Sequence, residues 1–175
     1  MSLPKSVWRW AFYDFANSSY ILTYVSLLLP LFFSTVLIKS GYSLGAWGIA
    51  NGIATVLGVM GAIIIGKYAD KHNKFNCLKW AIYFSFVGMI VVALSVKYKP
   101  EWVFVLFIGM QAVYIVSLSL SDSFLPHLAK DKDSYRYSGF AWGFGYVGGI
   151  LALVIAIILQ KVTSNDFHPF VFLST

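Results

Sequence analysis

Three glycines in the stretch WGFGYVGG, residues 142–149, could do chemistry. Gly143, Gly145 and Gly148 form G-x-G-x-x-G, the turn that brings main-chain amides against a dinucleotide pyrophosphate, and Asp166 follows where such a fold keeps its ribose-binding acid. That chemistry needs a strand before the glycines and an amphipathic helix after them. Here the polar KDKDSYRYS precedes and ILALVIAIIL follows, apolar on every face. No second strand–helix–strand unit is visible, and Asp166 falls beyond the apolar run. The glycines read instead as small-residue pairs, Gly139 with Gly143 and Gly145 with Gly149, with Gly148 between. Such pairs let two membrane helices approach closely.

A second set of residues could act inside an apolar segment. Asp14, Asn17 and Ser18 share one face of a helix in WRWAFYDFANSSY. A carboxylate one or two turns inside a membrane boundary is costly unless it faces water, protein or a partner charge. Two readings of Asp14 stay open: an interfacial acid, paired with Arg9 or snorkelling, and an acid facing a polar cavity. Asn51 needs a partner for its amide. It lies on a stripe of small or polar residues, Trp47, Gly48, Asn51, Thr55, Gly58 and Ala62. Gln111 and Tyr114 share a face with Ser121 and Asp122, and the latter two fit equally a solvated helix end. Tyr146 and Trp142 stand beside the glycines and fit packing as well as solute contact.

The elements that must position these residues are membrane helices. Of the 175 residues 59% are hydrophobic and 11% charged, and the mean hydropathy is +0.75. A soluble domain carries about twice that charged fraction. Five stretches are long enough to cross a bilayer: about 10–38, 44–65, 78–96, 102–121 and 139–159, with a sixth starting near 169. The fold class is therefore all-α and integral to the membrane, five complete spans and the start of a sixth. Between Trp80 and Val96 the polar residues are Tyr83 and Ser85, so the third span is expected to face lipid. Pro30 removes a backbone donor and is expected to kink the outer half of the first span.

The net charge of +6 belongs to the loops and not to a nucleic-acid-binding face. Nine basic residues, Lys5, Arg9, Lys67, Lys71, Lys74, Lys79, Lys130, Lys132 and Arg136, fall on one side of the membrane. Four, Lys39, Lys97, Lys99 and Lys161, fall on the other. The amino terminus is expected to be cytoplasmic. The single Cys77 excludes an internal disulfide. There is no Cys/His cluster, no close pair of carboxylates and no serine–histidine arrangement, and His72, His127 and His168 sit near span ends. Neither an enzyme nor a cofactor or metal site is expected.

The loop GKYADKHNKF resembles the signature between helices two and three of the major facilitator superfamily: Gly66 starts it, Asp70 follows four residues later, and Lys71 and Lys74 come next. Asn73 stands where that pattern has glycine, and Asn tolerates a left-handed backbone. WAFYDFANSSY, DSFLPHL and SGFAWGFGYVGG together resemble the branch that contains the yeast autophagy-related vacuolar amino-acid effluxer and its bacterial relatives; His127 stands where an acid follows Leu-Pro in that branch. The resemblance implies a twelve-helix transporter of two six-helix halves with a central site reached alternately from each side. Helices one, two, four and five would line the pathway, and three and six would lie outside. It implies amino acids or similar small solutes as cargo, in a bacterial cell membrane or a fungal vacuolar membrane. Asp14 becomes the candidate for proton coupling, and Asp70 is placed to meet exposed amides at the start of the third helix. The chain covers the amino-terminal half, so a fragment lacking its carboxy-terminal half is expected. Alternatives are a half-size subunit that dimerises and a non-transporting membrane scaffold.

Overall fold

The computed structural model describes residues 3–32, 41, 43, 45–95, 100–129 and 133–162. All regular structure among them is helical. The sixth span near 169, Asp166, His168, the outer end of the first span, and Lys39, Lys97, Lys99, Lys130 and Lys132 lie outside the described residues.

The chain opens with α1, Lys5–Ser19, which starts directly after Pro4. The Pro4 carbonyl accepts from the Val7 and Trp8 amides at 3.1 and 3.2 Å. The helix then widens over Tyr20–Leu28 into a π-helical register and returns to α geometry in α2, Leu29–Phe32. Next come α3, Gly45–Lys71, α4, Lys74–Ser95, α5, Pro100–Asp122, the short α6, Leu125–Leu128, and α7, Ser134–Val162.

The second to fifth expected spans run further at one or both ends than their apolar stretches, and the first begins earlier, at Lys5. Hydropathy marks the part of a helix that sits in hydrocarbon; main-chain hydrogen bonding continues into the interface, where the flanking polar residues tolerate helix. Pro100 begins α5 at a position where its missing N–H costs nothing. Asp133 sits just before α7, its carbonyl accepting from the Tyr137 amide at 3.0 Å.

Among the described residues four helices are long and apolar enough to cross a membrane: Gly45–Lys71, Lys74–Val92, Trp102–Leu128 and Ser134–Ile158. The first span is not among them. Its α-helical part has 15 residues, includes Lys5, Arg9, Asp14, Asn17, Ser18 and Ser19, and gives way to the π register before Pro30. The irregularity expected at Pro30 thus takes the form of a widened helix on its amino-terminal side.

The chain divides into two compact units. In the first, α1 and the π segment lie along α7. At one end Val7, Ala129 and Tyr137 form a buried cluster with Leu3, Leu125 and Phe140 around it. In the second, α5 packs against both α3 and α4, which meet each other sparingly. Of the four long helices α5 is the most buried and α4 the least. The outward faces of α3 and α4 carry large apolar side chains such as Ile49, Ile64, Trp80 and Phe86, the surface a lipid-facing helix presents.

Candidate functional site

In the first unit the site is the seam between α1 and α7. Lipid is as apolar as leucine, so helices in it associate by close packing and polar contacts rather than by hydrophobic burial. Small residues provide that approach here. A Cβ added at Gly145 would stand 2.7 Å from the Ser18 hydroxyl and 2.8 Å from Asp14 Oδ2. One at Gly148 would strike the Phe15 carbonyl, and one at Gly149 would strike Leu22. Nothing lies within 4 Å of the corresponding points at Gly139 and Gly143. The small-residue contact therefore runs along Gly145, Gly148 and Gly149 and does not extend to the Gly139/Gly143 pair, which the 3.6-residue turn places on an exposed face.

Asp14 and Ser18, one turn apart, thus both lie over the Gly145 backbone. Both are half-buried, as is Asn17. Tyr146 is exposed and forms an edge-to-face pair with Trp142, centroids 6.3 Å apart. The chemistry available at Asp14 is that of a half-buried carboxylate in a helix seam with a hydroxyl beside it: it can bind a proton or a cationic group.

The seam is flanked by an aromatic cluster that the sequence reading missed. Trp8, Phe12 and Phe15 of α1 interleave with Phe140 and Phe144 of α7. Trp8 meets Phe140 edge-on at 4.8 Å, and Phe12 meets Phe144 at 5.1 Å and 90°. Phe15 lies 4.9 Å from Phe144. Such pairs contribute about 0.5–1.5 kcal/mol each beyond burial. The signal was present, since residues 8, 12 and 15, and 140 and 144, have helical spacing.

In the second unit Gln111 and Tyr114 are buried, at 5% and 6% exposure. The stripe expected on α3 divides. Its buried face runs Ala50, Ala54 and Gly58, and Trp47 packs on Phe107 at 4.6 Å. A Cβ at Gly58 would stand 2.7 Å from Ile115, and one at Gly61 3.0 Å from Val116. Gly48 has nothing within 4 Å. Thr55 is exposed and donates to the Asn51 carbonyl at 2.8 Å, while Asn51 is half-buried at the edge of the contact. Alanines and glycine allow a closer approach to α5 than Asn51 and Thr55 would, which turns the helix about one position from the expected register. On α4, Gly88 approaches Met110 of α5, and Ser85 donates to the Ala81 carbonyl at 2.8 Å.

The expected loop between the second and third spans is almost entirely helix. Gly66, Asp70 and Lys71 belong to α3, Lys74 begins α4, and His72 and Asn73 alone separate them. Two expectations are corrected. Asp70 stands at the carboxyl end of α3 and not at the start of the next helix. Asn73 is not left-handed, for no described residue other than glycine has a positive φ. Its side chain instead caps α4: Oδ1 accepts from the Asn76 amide at 3.1 Å, and its carbonyl accepts from Cys77 at 3.2 Å. Asparagine supplies an acceptor that glycine lacks. The Lys74 ammonium lies 2.9 Å from Asp70 Oδ1. Lys71, in the last turn of α3, complements the partial negative charge of that helix end. His72 stacks on Tyr68 at 4.1 Å, with Nδ1 3.0 Å from the Tyr68 carbonyl. Nothing lies within 4 Å of a Cβ at Gly66. Behind the turn Ala69, Ala81, Val116 and Leu120 form a buried cluster, with Cys77 and Leu78 against it. His127 lies in α6. Among the described residues no three His, Cys, Asp or Glu are grouped to hold a metal ion.

No protein-family model matches the chain, and no solved structure matches it. The chain is 25% identical over 168 residues to a Bacillus subtilis (strain 168) protein described as an uncharacterized MFS-type transporter, YxiO. The match covers 91% of this chain and 39% of that protein, so the chain spans about two fifths of the length of this relative. The chain is thus similar along nearly its whole length to a major-facilitator-type transporter, and the four apolar helices of membrane length among its described residues support an integral membrane protein.

Proposed function

We propose that this chain is the amino-terminal bundle of a secondary transporter that moves a small solute by alternating access. The similarity to an MFS-type transporter over 91% of the chain favours that architecture, and the 39% coverage of the relative leaves length there for a second bundle. The resemblance of WAFYDFANSSY, DSFLPHL and SGFAWGFGYVGG points to amino acids, exported from the cytoplasm or the vacuole. On that resemblance Asp14, Asn17, Ser18 and Tyr146 in the first unit, and separately Asn51, Gln111 and Tyr114 in the second, are the polar side chains proposed for solute or proton contact, and Gly66, Asp70, Lys71 and Lys74 are proposed as a cytoplasmic gate.

The observation that carries the mechanism is the position of Asp14 over Gly145 beside Ser18. An acid in a tight helix seam couples its charge to helix packing. Protonation removes the cost of the buried charge and lets the seam tighten; deprotonation favours opening toward water. The solute gradient and the proton gradient are thereby linked through one helix pair.

The test is transport by the full chain in proteoliposomes under an imposed pH gradient. Asp14→Asn keeps the shape and removes the charge, so uphill transport should be lost while solute exchange persists. Unchanged uphill transport by this variant removes Asp14 from the coupling mechanism.

A further inference from the structure

The first span carries a nine-residue π segment, Tyr20–Leu28, in which the Leu29 amide donates to the Tyr24 carbonyl five residues back. π-helix is rare, occurs mostly as single turns, and gathers at functional sites. Two observations show that this register leaves bonds unmade. The buried hydroxyl oxygen of Thr23 has no hydrogen-bond partner. Hydroxyls in the α-helical parts of the chain do bond back to the preceding turn: Ser19 to the Phe15 carbonyl at 3.0 Å, Thr55 to Asn51 at 2.8 Å and Ser85 to Ala81 at 2.8 Å, each four residues back, and Ser117 to Tyr114 at 2.8 Å, three back. In α geometry Thr23 would reach the Ser19 carbonyl in the same way.

The second observation is a shortage of main-chain donors. Leu29 serves Tyr24, and the i→i−4 pattern of α2 assigns Phe32 to Leu28. The carbonyls of Val25, Ser26 and Leu27 lie between. Leu31 alone can serve them, because Pro30 has no N–H, so two of the three lack a donor within the helix. An unbroken α-helix would leave only Ser26 unserved. Unpaired carbonyls are expensive where no water reaches them. Against this stands Pro30, whose ring presses on the Ser26 carbonyl in α geometry. The wider register carries that carbonyl away from the ring.

We propose that Tyr20–Leu28 is a two-state element. Its π form relieves Pro30, its α form satisfies Thr23 and one more carbonyl, and the change between them rotates the outer part of the first span about the inner part. The inner part is fixed to α7 by Gly145, Gly148 and the Phe15–Phe144 contact, so the motion is expressed beyond Tyr20, where Leu22 meets Gly149. Its use as a step of a transport cycle rests on the transporter reading; the switch itself does not.

The test therefore reads helix register without solute. Single cysteines are placed along 20–29 on a Cys77→Ala background, in the full chain in native membranes, and their maleimide labelling rates are compared. The unaltered segment and Thr23→Val should show wider spacing of reactive positions than an α-helix. Pro30→Ala should bring the spacing to about 3.6 residues and move the reactive positions beyond Tyr24 to a different face. Adding Thr23→Val to Pro30→Ala should reverse part of that movement, because the α form then gains one bond fewer. Identical patterns with and without Pro30→Ala overturn the proposal. A double variant indistinguishable from Pro30→Ala overturns the part assigned to the Thr23 hydroxyl.

Discussion

The Asp70 carboxylate and the Lys74 ammonium stand 2.9 Å apart across the His72–Asn73 turn, joining the end of α3 to the beginning of α4. Each charge is at the unfavourable end of its own helix and at the favourable end of the other, since helix carboxyl ends attract cations and amino ends attract anions. The pair therefore ties the two helix ends together across the turn.

The pair is largely exposed on the Asp70 side, and an exposed pair contributes about 1 kcal/mol or less. Asp70→Asn is expected to leave membrane insertion and thermal unfolding in detergent nearly unchanged, while lowering transport by the full chain. Wild-type transport rates in this variant would strip the gate residues of their proposed role.

Asn73 separates a capping role from a turn role. Asn73→Ala removes the acceptor for the Asn76 amide and should cost about 0.5–2 kcal/mol, whereas Asn73→Gly should cost only a few tenths. Were a left-handed turn the requirement, glycine would stabilise instead. Thermal unfolding of the two variants decides between them.

The seam glycines should differ among themselves. Gly148→Ala drives a methyl into the Phe15 carbonyl, which cannot swing aside, and overpacking of this kind costs about 1–3 kcal/mol. Gly145→Ala meets most closely the ends of two side chains, Asp14 and Ser18, which can rotate, and the Asp14 carbonyl only at 3.3 Å, so it should cost less stability and change proton coupling more. Gly139→Ala and Gly143→Ala enter open space and should stabilise the helix by up to about 1 kcal/mol. Unfolding temperatures that fail to place Gly148→Ala lowest would argue against the α1–α7 packing.

Orientation is read with a cysteine at the exposed His72, again on a Cys77→Ala background. The excess of basic residues around this turn predicts labelling by an impermeant maleimide from the cytoplasmic side alone. Labelling of intact cells from outside would reverse the topology.

Four of the expected membrane helices, the second to the fifth, were legible in the sequence, because bilayer thickness fixes the length of an apolar run and no tertiary contact is needed to read it; the break of the first span into α and π parts was not. The low burial of α4 agrees with its lack of polar residues. The glycine run of α7 was legible as a packing seam, but which glycines make it was not: residues 139–149 include several small pairs, and only the placement of α1 selects Gly145, Gly148 and Gly149. Asn51 and Thr55 looked like an inward stripe, yet Ala50, Ala54 and Gly58 take that face, since helix rotation is decided by which small side chains allow the nearest approach. Asn73 was recognised as unusual, and its capping bond emerged only once the helix start was placed. The position of Asp14 over a glycine backbone depends on two segments about 130 residues apart meeting. The register of a helix ahead of a proline depends on a balance of bonds and clashes that residue types alone do not order.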